Sequence, residues 1–178
     1  GSEMCIRDNT SVTTDGTNLY VTDQGNELIR KIVISSGEVT TLAGTKGISG
    51  STDGVGTAAK FNSPSGITID GVNLYVADQK NHQIRKIVIL SGEVSTLAGK
   101  EGSLGTIDAT GTQAMFNRPY GLTTDGTNIF VADTYNHSIR KIEISSGIVT
   151  TLAGLKGTAG KTDGIGTLAR FNLPFNIL

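Results

Sequence analysis

Tryptophan is absent from this sequence, cysteine occurs once, proline three times, and no apolar run is more than a few residues long. One cysteine, Cys5, excludes an internal disulfide and a thiolate zinc site. The short apolar runs exclude a bilayer-spanning helix, and none has the apolar core of a signal peptide. Neither sign of charge dominates. Fifteen basic and 16 acidic residues leave a formal net charge of −1, so no global field recruits nucleic acid or an anionic membrane. Glycine is plentiful, at 24 of 178 residues. That composition suits short strands joined by tight turns, suits helices poorly, and is long enough to bury a sizeable core.

One stretch occurs three times: Asn18-Leu-Tyr-Val-Thr-Asp23, Asn73-Leu-Tyr-Val-Ala-Asp78 and Asn128-Ile-Phe-Val-Ala-Asp133. A few residues later come Ile29-Arg-Lys-Ile32, Ile84-Arg-Lys-Ile87 and Ile139-Arg-Lys-Ile142. The three aspartates stand 55 residues apart, and Gly44, Gly99, Gly154, Phe61, Phe116, Phe171, Pro64, Pro119 and Pro174 keep the same step. A repeat of this length means one supersecondary unit per copy, each burying its faces against its neighbours. The boundaries are 10–64, 65–119 and 120–174, with a non-repeat segment 1–9 and the start of a further inner strand at 175–178. Gly1-Ser2 looks like a residue of tag cleavage, and Met4-Cys-Ile-Arg-Asp8 resembles translated adapter DNA in fragmentary environmental, bacterial-type reading frames. The second suggests a slice of a longer array.

In the second copy, Ser65–Ile69 is a short β-rich run ended by the turn signal Asp70-Gly71. Asn73–Asp78 is a second strand, Gln83–Leu90 a third and Glu93–Ala98 a fourth. Short connections make this an up-and-down antiparallel sheet. Gln83–Leu90 is apolar on both faces, which a sheet exposed on one side would not be. Sheets covered on both faces and repeated in tandem stack around an axis, so the fold class is all-β, a β-propeller of three four-stranded blades. The glycine-rich connections Gly44–Ser63, Gly99–Arg118 and Gly154–Leu173 are long for a compact unit but keep one length, which makes them shaped elements. Thr57–Phe61 is expected to form about one helical turn, with Phe61 and Pro64 pinning the chain beneath the next sheet.

Leu74-Tyr-Val-Ala-Asp78, then Asn81-His82, then Ile84-Arg-Lys-Ile87, preceded by Phe61-Asn-x-Pro64-x-Gly66, resembles the NHL-repeat β-propellers. The long form, with Thr96-Leu-Ala-Gly99 and Asp53-Gly-x-Gly56, is similar to a common bacterial and plant variety. The resemblance runs from about Thr10 to Phe175. It implies the fold and leaves function open, because the family includes peptide-amidating lyases, kinase sensor domains and RNA- or protein-binding modules. Copy one departs from it, with Gly25-Asn-Glu27 in place of Asn-His, and Asn176 stands where Gly66 and Gly121 do.

Asp23, Asp78 and Asp133 invite a catalytic or calcium reading. Each recurs with an arginine (Arg30, Arg85, Arg140) on a strand covered on both sides, where a charge needs a partner, so structural Asp–Arg pairs are the expectation. His82 and His137 occupy one loop of successive blades, where symmetry spreads them around a ring and keeps them from converging on one metal. Thr45–Gly50 lacks phosphate-loop spacing, and Asp53-Gly-Val-Gly56 lacks the alternating carboxylates of a calcium loop and reads as an Asx-type turn. No cofactor and no metal are therefore expected. Lys31, Lys86 and Lys141 have no aromatic partners for base stacking, so nucleic acid is not an expected partner either.

Three blades leave two raw faces, and closed propellers have about four to eight blades. The expectation is a homodimer closing one six-bladed ring about a two-fold axis. Contact residues are expected on the loop rim: Asn26, Glu27, Lys80, Asn81, His82, Tyr135, Asn136 and His137. The expected function is a non-enzymatic binding scaffold for a protein, peptide or glycan. The alternative is a lyase- or hydrolase-type enzyme with a metal in the central channel.

Overall fold

β-Branched and aromatic residues alternating between glycine turns dictate short strands, and the computed structural model of this chain describes them over residues 11–177. The expected segment 1–9, Thr10 and Leu178 lie outside the described residues. The first copy contains β1 (Val12–Thr14), β2 (Asn18–Asp23), β3 (Leu28–Val33) and β4 (Val39–Ala43), hydrogen-bonded in that order. The next strand, β5 (Gly54–Val55), lies in the first connection. The second copy supplies β6 (Pro64–Ile69), β7 (Asn73–Asp78), β8 (Gln83–Val88) and β9 (Glu93–Ala98). The third supplies β10 (Pro119–Thr124), β11 (Asn128–Asp133), β12 (Ser138–Glu143) and β13 (Val149–Ala153). Among the described residues there is no α-helix.

Two local expectations need correction. The third strand of copy two ends at Val88, not Leu90, because Gly92 donates its N–H back to Val88 and closes the turn there. Leu90 is consequently almost fully exposed, at 97%. The first connection is also more than a loop. Its Gly54–Val55 pairs antiparallel with Val94 and Glu93, so the middle sheet has a fifth strand. The expected helical turn is present as a single 3₁₀ turn, Gly56–Ala58, and recurs at Gly111–Gln113 and Gly166–Leu168.

The Asp-Gly hairpins form as their chemistry requires. Asp70 accepts the N–H groups of Val72 and Asn73 at 2.9 and 2.7 Å, and Gly71 takes the positive φ of +96° that a side chain resists. Tyr75 donates its hydroxyl to the same carboxylate at 2.7 Å, as Tyr20 does to Asp15 at 2.9 Å.

Apolar side chains fill the two joints between consecutive sheets. Tyr20, Ile29 and Ala43 of the first sheet meet Leu74, Val76, Ile87 and Val94 of the second, with Ala59 and Phe61 of the connection packed among them. The next joint repeats this with Tyr75, Ile84 and Ala98 against Ile129, Val131, Ile142 and Val149, around Ala114 and Phe116. Stacking therefore follows chain order, and Phe61 and Phe116 are wedges between sheets. The innermost strands touch closely. Ser65 donates its hydroxyl to the Tyr120 carbonyl at 3.1 Å, and a Cβ on Gly66 would collide with that same carbonyl oxygen.

Gly66→Ala therefore forces β6 and β10 apart. It is expected to cost about 1–3 kcal/mol and to lower the thermal midpoint by several degrees. Gly25→Ala, which meets open space, is expected to stay within about 0.5 kcal/mol of the parent in the same calorimetric measurement.

Candidate functional site

The residues singled out in the repeat motif converge on one end of each sheet. In the β7–β8 pair Asp78 lies opposite Gln83, and Arg85 follows two residues later, so both charges share a face. Arg85 donates to Asp78 through Nη1 at 2.8 Å, and both side chains are fully buried. Arg140 and Asp133 repeat this at 2.8 Å. In the first sheet Arg30 and Asp23 are 3.3 Å apart and partly exposed.

Each buried guanidinium has a second carboxylate, in the first connection that of Asp53, where an Asx-type turn is the expectation. Asp53 accepts from Arg85 Nη2 at 2.6 Å, and Asp108 accepts from Arg140 Nη2 at 2.6 Å. Both reach across from the preceding connection. The 55-residue step of Asp53, Asp108 and Asp163 was the signal for them. The rings of Phe61 and Phe116 lie 5.2 and 5.0 Å from the two guanidinium centres.

The loop between the second and third strands takes its shape from internal bonds as well. Asn81 and Asn136 are buried, each donating to its aspartate at 2.8 Å and to a carbonyl of the preceding connection, Gly50 or Gly105. His82 and His137 have left-handed backbones, with φ of 59° and 54°. Through Nδ1 they accept the N–H groups of Arg118 and Leu173 at 3.0 and 3.1 Å. Copy one has Glu27 there, and its carboxylate accepts the N–H of Ser63. Glutamate thus does in copy one what histidine does in the others: it holds a connection residue at positive φ, namely Ser63, Arg118 or Leu173.

Of the expected rim residues, Asn26, Lys80 and Tyr135 are exposed, although the Asn26 amide donates to Asp23 at 2.9 Å. Tyr135 is 46% exposed and carries the Arg118 guanidinium 5.1 Å over its ring. Among the described residues, no three or more histidine, cysteine, aspartate or glutamate side chains group into a metal site.

The family described as NHL repeat matches residues 61–87, which hold Phe61, Asp78 and Arg85 of this clamp but not Asp53. The chain belongs to the NHL-repeat family. It is 34% identical over 144 residues to NHL repeat-containing protein 2 of Gallus gallus, an alignment covering 75% of this chain and 20% of that protein. Among solved structures, a structural genomics protein of unknown function from Bacteroides thetaiotaomicron is similar at TM-score 0.75 and 27% identity, over 93% of this chain and 40% of its own. An auxiliary nutrient binding protein of the same organism is similar at TM-score 0.69 and 22% identity, over 89% of this chain and 39% of its own. The NHL chain thus spans less than half the length of each of these proteins.

Electrostatics separates the aspartates of this NHL chain into two groups. Burial pushes the Asp78 and Asp133 carboxyls up to about 6 against the pull of Arg85 and Arg140, so both are ionised at neutral pH. The hairpin aspartates go the other way. Asp15 is lowered chiefly by its bonds from Asn18, and Asp125 by the Asn128 N–H. Asp70 is raised by burial but ends low, because the N–H groups of Asn73 and Val72 outweigh it. Burial, with the Arg118 charge, also lowers His82.

Asp78→Ala leaves Arg85 buried beside an empty site and is expected to cost about 3–5 kcal/mol, read as a lower urea midpoint. The pH response follows from the signs. Asp78 and Asp133, raised from 3.8 to about 6, bind protons in the folded state first, so their contribution grows as pH falls through 6. The lowered hairpin aspartates stabilise the fold above 3.8 and lose that contribution as pH falls through their folded values. In a His82→Gln variant, which removes the opposing histidine titration, the thermal midpoint is expected to be no lower at pH 5 than at pH 7, and to drop below about pH 4. A steady fall from pH 7 to pH 5 would show that the buried carboxyls are not raised.

Proposed function

We propose that this NHL chain is a non-enzymatic propeller scaffold whose contact surface is the loop rim, and that two copies close one six-bladed ring. The observation that carries the reading is the inequality of the two end faces. Positions buried in both internal joints are uncovered at the ends of the stack. On the first sheet Val12 and Val39 are 56% and 47% exposed, and Leu19, Val21 and Ile32 are partly exposed. On the third sheet Phe130, Ile139 and Ala153 are partly exposed. These residues are the counterparts, one repeat on, of sets that meet each other at both internal joints. The two end faces are complementary, and a second copy offers each face its match.

The scaffold reading rests on how the motif residues are occupied. Asp78, Arg85, Asn81 and His82 are all engaged in internal bonds, as Asn26 is with Asp23, leaving Lys80 and the Arg118–Tyr135 pair as the rim that a protein, peptide or glycan can reach. Ring closure has one steric condition. Phe175 accepts the Gly121 N–H at 3.0 Å and stacks on Tyr120 at 3.9 Å, so residues 175–177 lie where the inner strand of a fourth sheet begins. By the repeat, residues 10–12 of a second copy claim that place, so one segment gives way or adds alongside.

Light scattering on this chain is expected to give twice 18.5 kDa at micromolar concentration, with no stoichiometric metal in the purified sample. A monomer would overturn ring closure. Stoichiometric zinc or calcium would favour the metal-dependent enzyme over the scaffold.

A further inference from the structure

Among the described residues, two of the three repeat arginines have acceptors at both terminal nitrogens, with only Nε–H unpartnered, and the third has a fraction of that shell. Around Arg85, Nη1 donates to the Lys60 carbonyl at 3.0 Å as well as to Asp78, and Nη2 donates to the Thr52 carbonyl at 3.2 Å as well as to Asp53. Asp53 also accepts the Thr96 hydroxyl at 3.1 Å. Arg140 repeats the set with the Met115 and Ile107 carbonyls and Asp108, which accepts the Thr151 hydroxyl at 3.0 Å. Everything in these shells except Asp78, Asp133 and the two threonines comes from the connection preceding the sheet. Arg30 holds Asp23 alone among the described residues, and its side chain remains 30% exposed. Beside it is a hollow of about 320 Å³ lined by Asn26, Leu28, Arg30 and Thr41, among others. The corresponding hollow of the second sheet is walled on one side by Ser51, Thr52 and Asp53. Among the described residues no such wall lines the hollow of the first sheet.

The wall exists at the other end of the chain, already folded. In the third connection Gly160 donates to the Phe171 carbonyl at 2.9 Å and Arg170 to the Thr162 carbonyl at 2.9 Å. The first connection makes the same bonds from Gly50 to Phe61 and from Lys60 to Thr52, both at 3.0 Å. Asp163 stands one repeat beyond Asp108, is exposed, and is joined by no hydrogen bond or ion pair to any described residue. A carboxylate held at the crest of a prefolded loop loses little freedom on docking, and a bidentate-capable guanidinium in a half-open socket is its chemical complement.

We infer that Asp163 of one copy docks on Arg30 of a second, with the Thr162 and Arg170 carbonyls and the Phe171 ring completing the shell that Arg85 and Arg140 have within one chain. This rests on the ring-closure reading, and it assigns the two joints between chains a specific ion pair, one at each. Thr41 takes the place of Thr96 as the hydroxyl donor to Asp163.

The test is a sedimentation-equilibrium dissociation constant for the parent chain, Asp163→Ala, Arg30→Met and the double variant, each checked for an unchanged far-ultraviolet dichroism spectrum. Asp163 has no internal partner among the described residues, so its substitution leaves the fold of the single chain intact. Truncating one member of a docked charge pair is expected to weaken dimerisation roughly 30-fold or more. The double variant is expected to be no weaker than the weaker single one. A dimeric parent with Asp163→Ala unchanged would overturn the ion pair and leave ring closure standing, as would strictly additive losses. A monomeric parent would overturn ring closure itself.

Discussion

A buried guanidinium clamped between two carboxylates is the interaction on which each sheet-to-sheet joint depends. Arg85 sits on a strand covered on both faces, where an unpaired charge is costly, and Asp78 takes only one of its Nη1 hydrogens. The preceding connection supplies acceptors for the other terminal N–H groups, the Asp53 carboxylate and two carbonyls, together with the Phe61 ring, and leaves Nε–H alone without a partner among the described residues. The clamp therefore fixes the glycine-rich connection against the next sheet. A connection so fixed is a wedge, with Phe61 and Ala59 among the apolar side chains of both neighbouring sheets.

The same logic accounts for the bonds that the histidines accept. A connection that must return sharply into the next inner strand passes through Ser63, Arg118 or Leu173 at positive φ, where non-glycine residues are strained. An acceptor at Glu27, His82 or His137 holds each of those N–H groups. The motif residues are thus occupied in maintaining the geometry of the connections, while Lys80 and Tyr135 beside them are exposed. In a stack where each unit touches only its neighbours, the end units carry the unsatisfied faces. Arg30 and the partly exposed apolar residues of the first and third sheets are that condition in residue form.

Much of the fold was legible because it is local. Alternation and Asp-Gly turns placed the strands to within two residues, and in the observed hairpin register Asp78 and Arg85 share one face. The apolar residues on both faces of β8 implied stacked sheets, and the two core clusters are those stacks. The second carboxylate was not legible from its own neighbourhood. Asp53 lies 32 residues before Arg85 in a glycine-rich segment, and in isolation an Asp-Gly sequence reads as a turn. The fifth strand, β5, was hidden for the same reason, being only two residues long.

The sequence by itself determined the repeat and its strands to within two residues, and demanded a carboxylate for each repeat arginine without deciding whether it lies in the same sheet, because alternation and turn chemistry act over a few residues. Only the tertiary structure decided that the connections are wedges, that Asp53 and Asp108 complete the arginine shells, and that Glu27 stands in for histidine. Those depend on where a long loop folds back in three dimensions, which is set by packing against the neighbouring sheet and not by the loop's own residues.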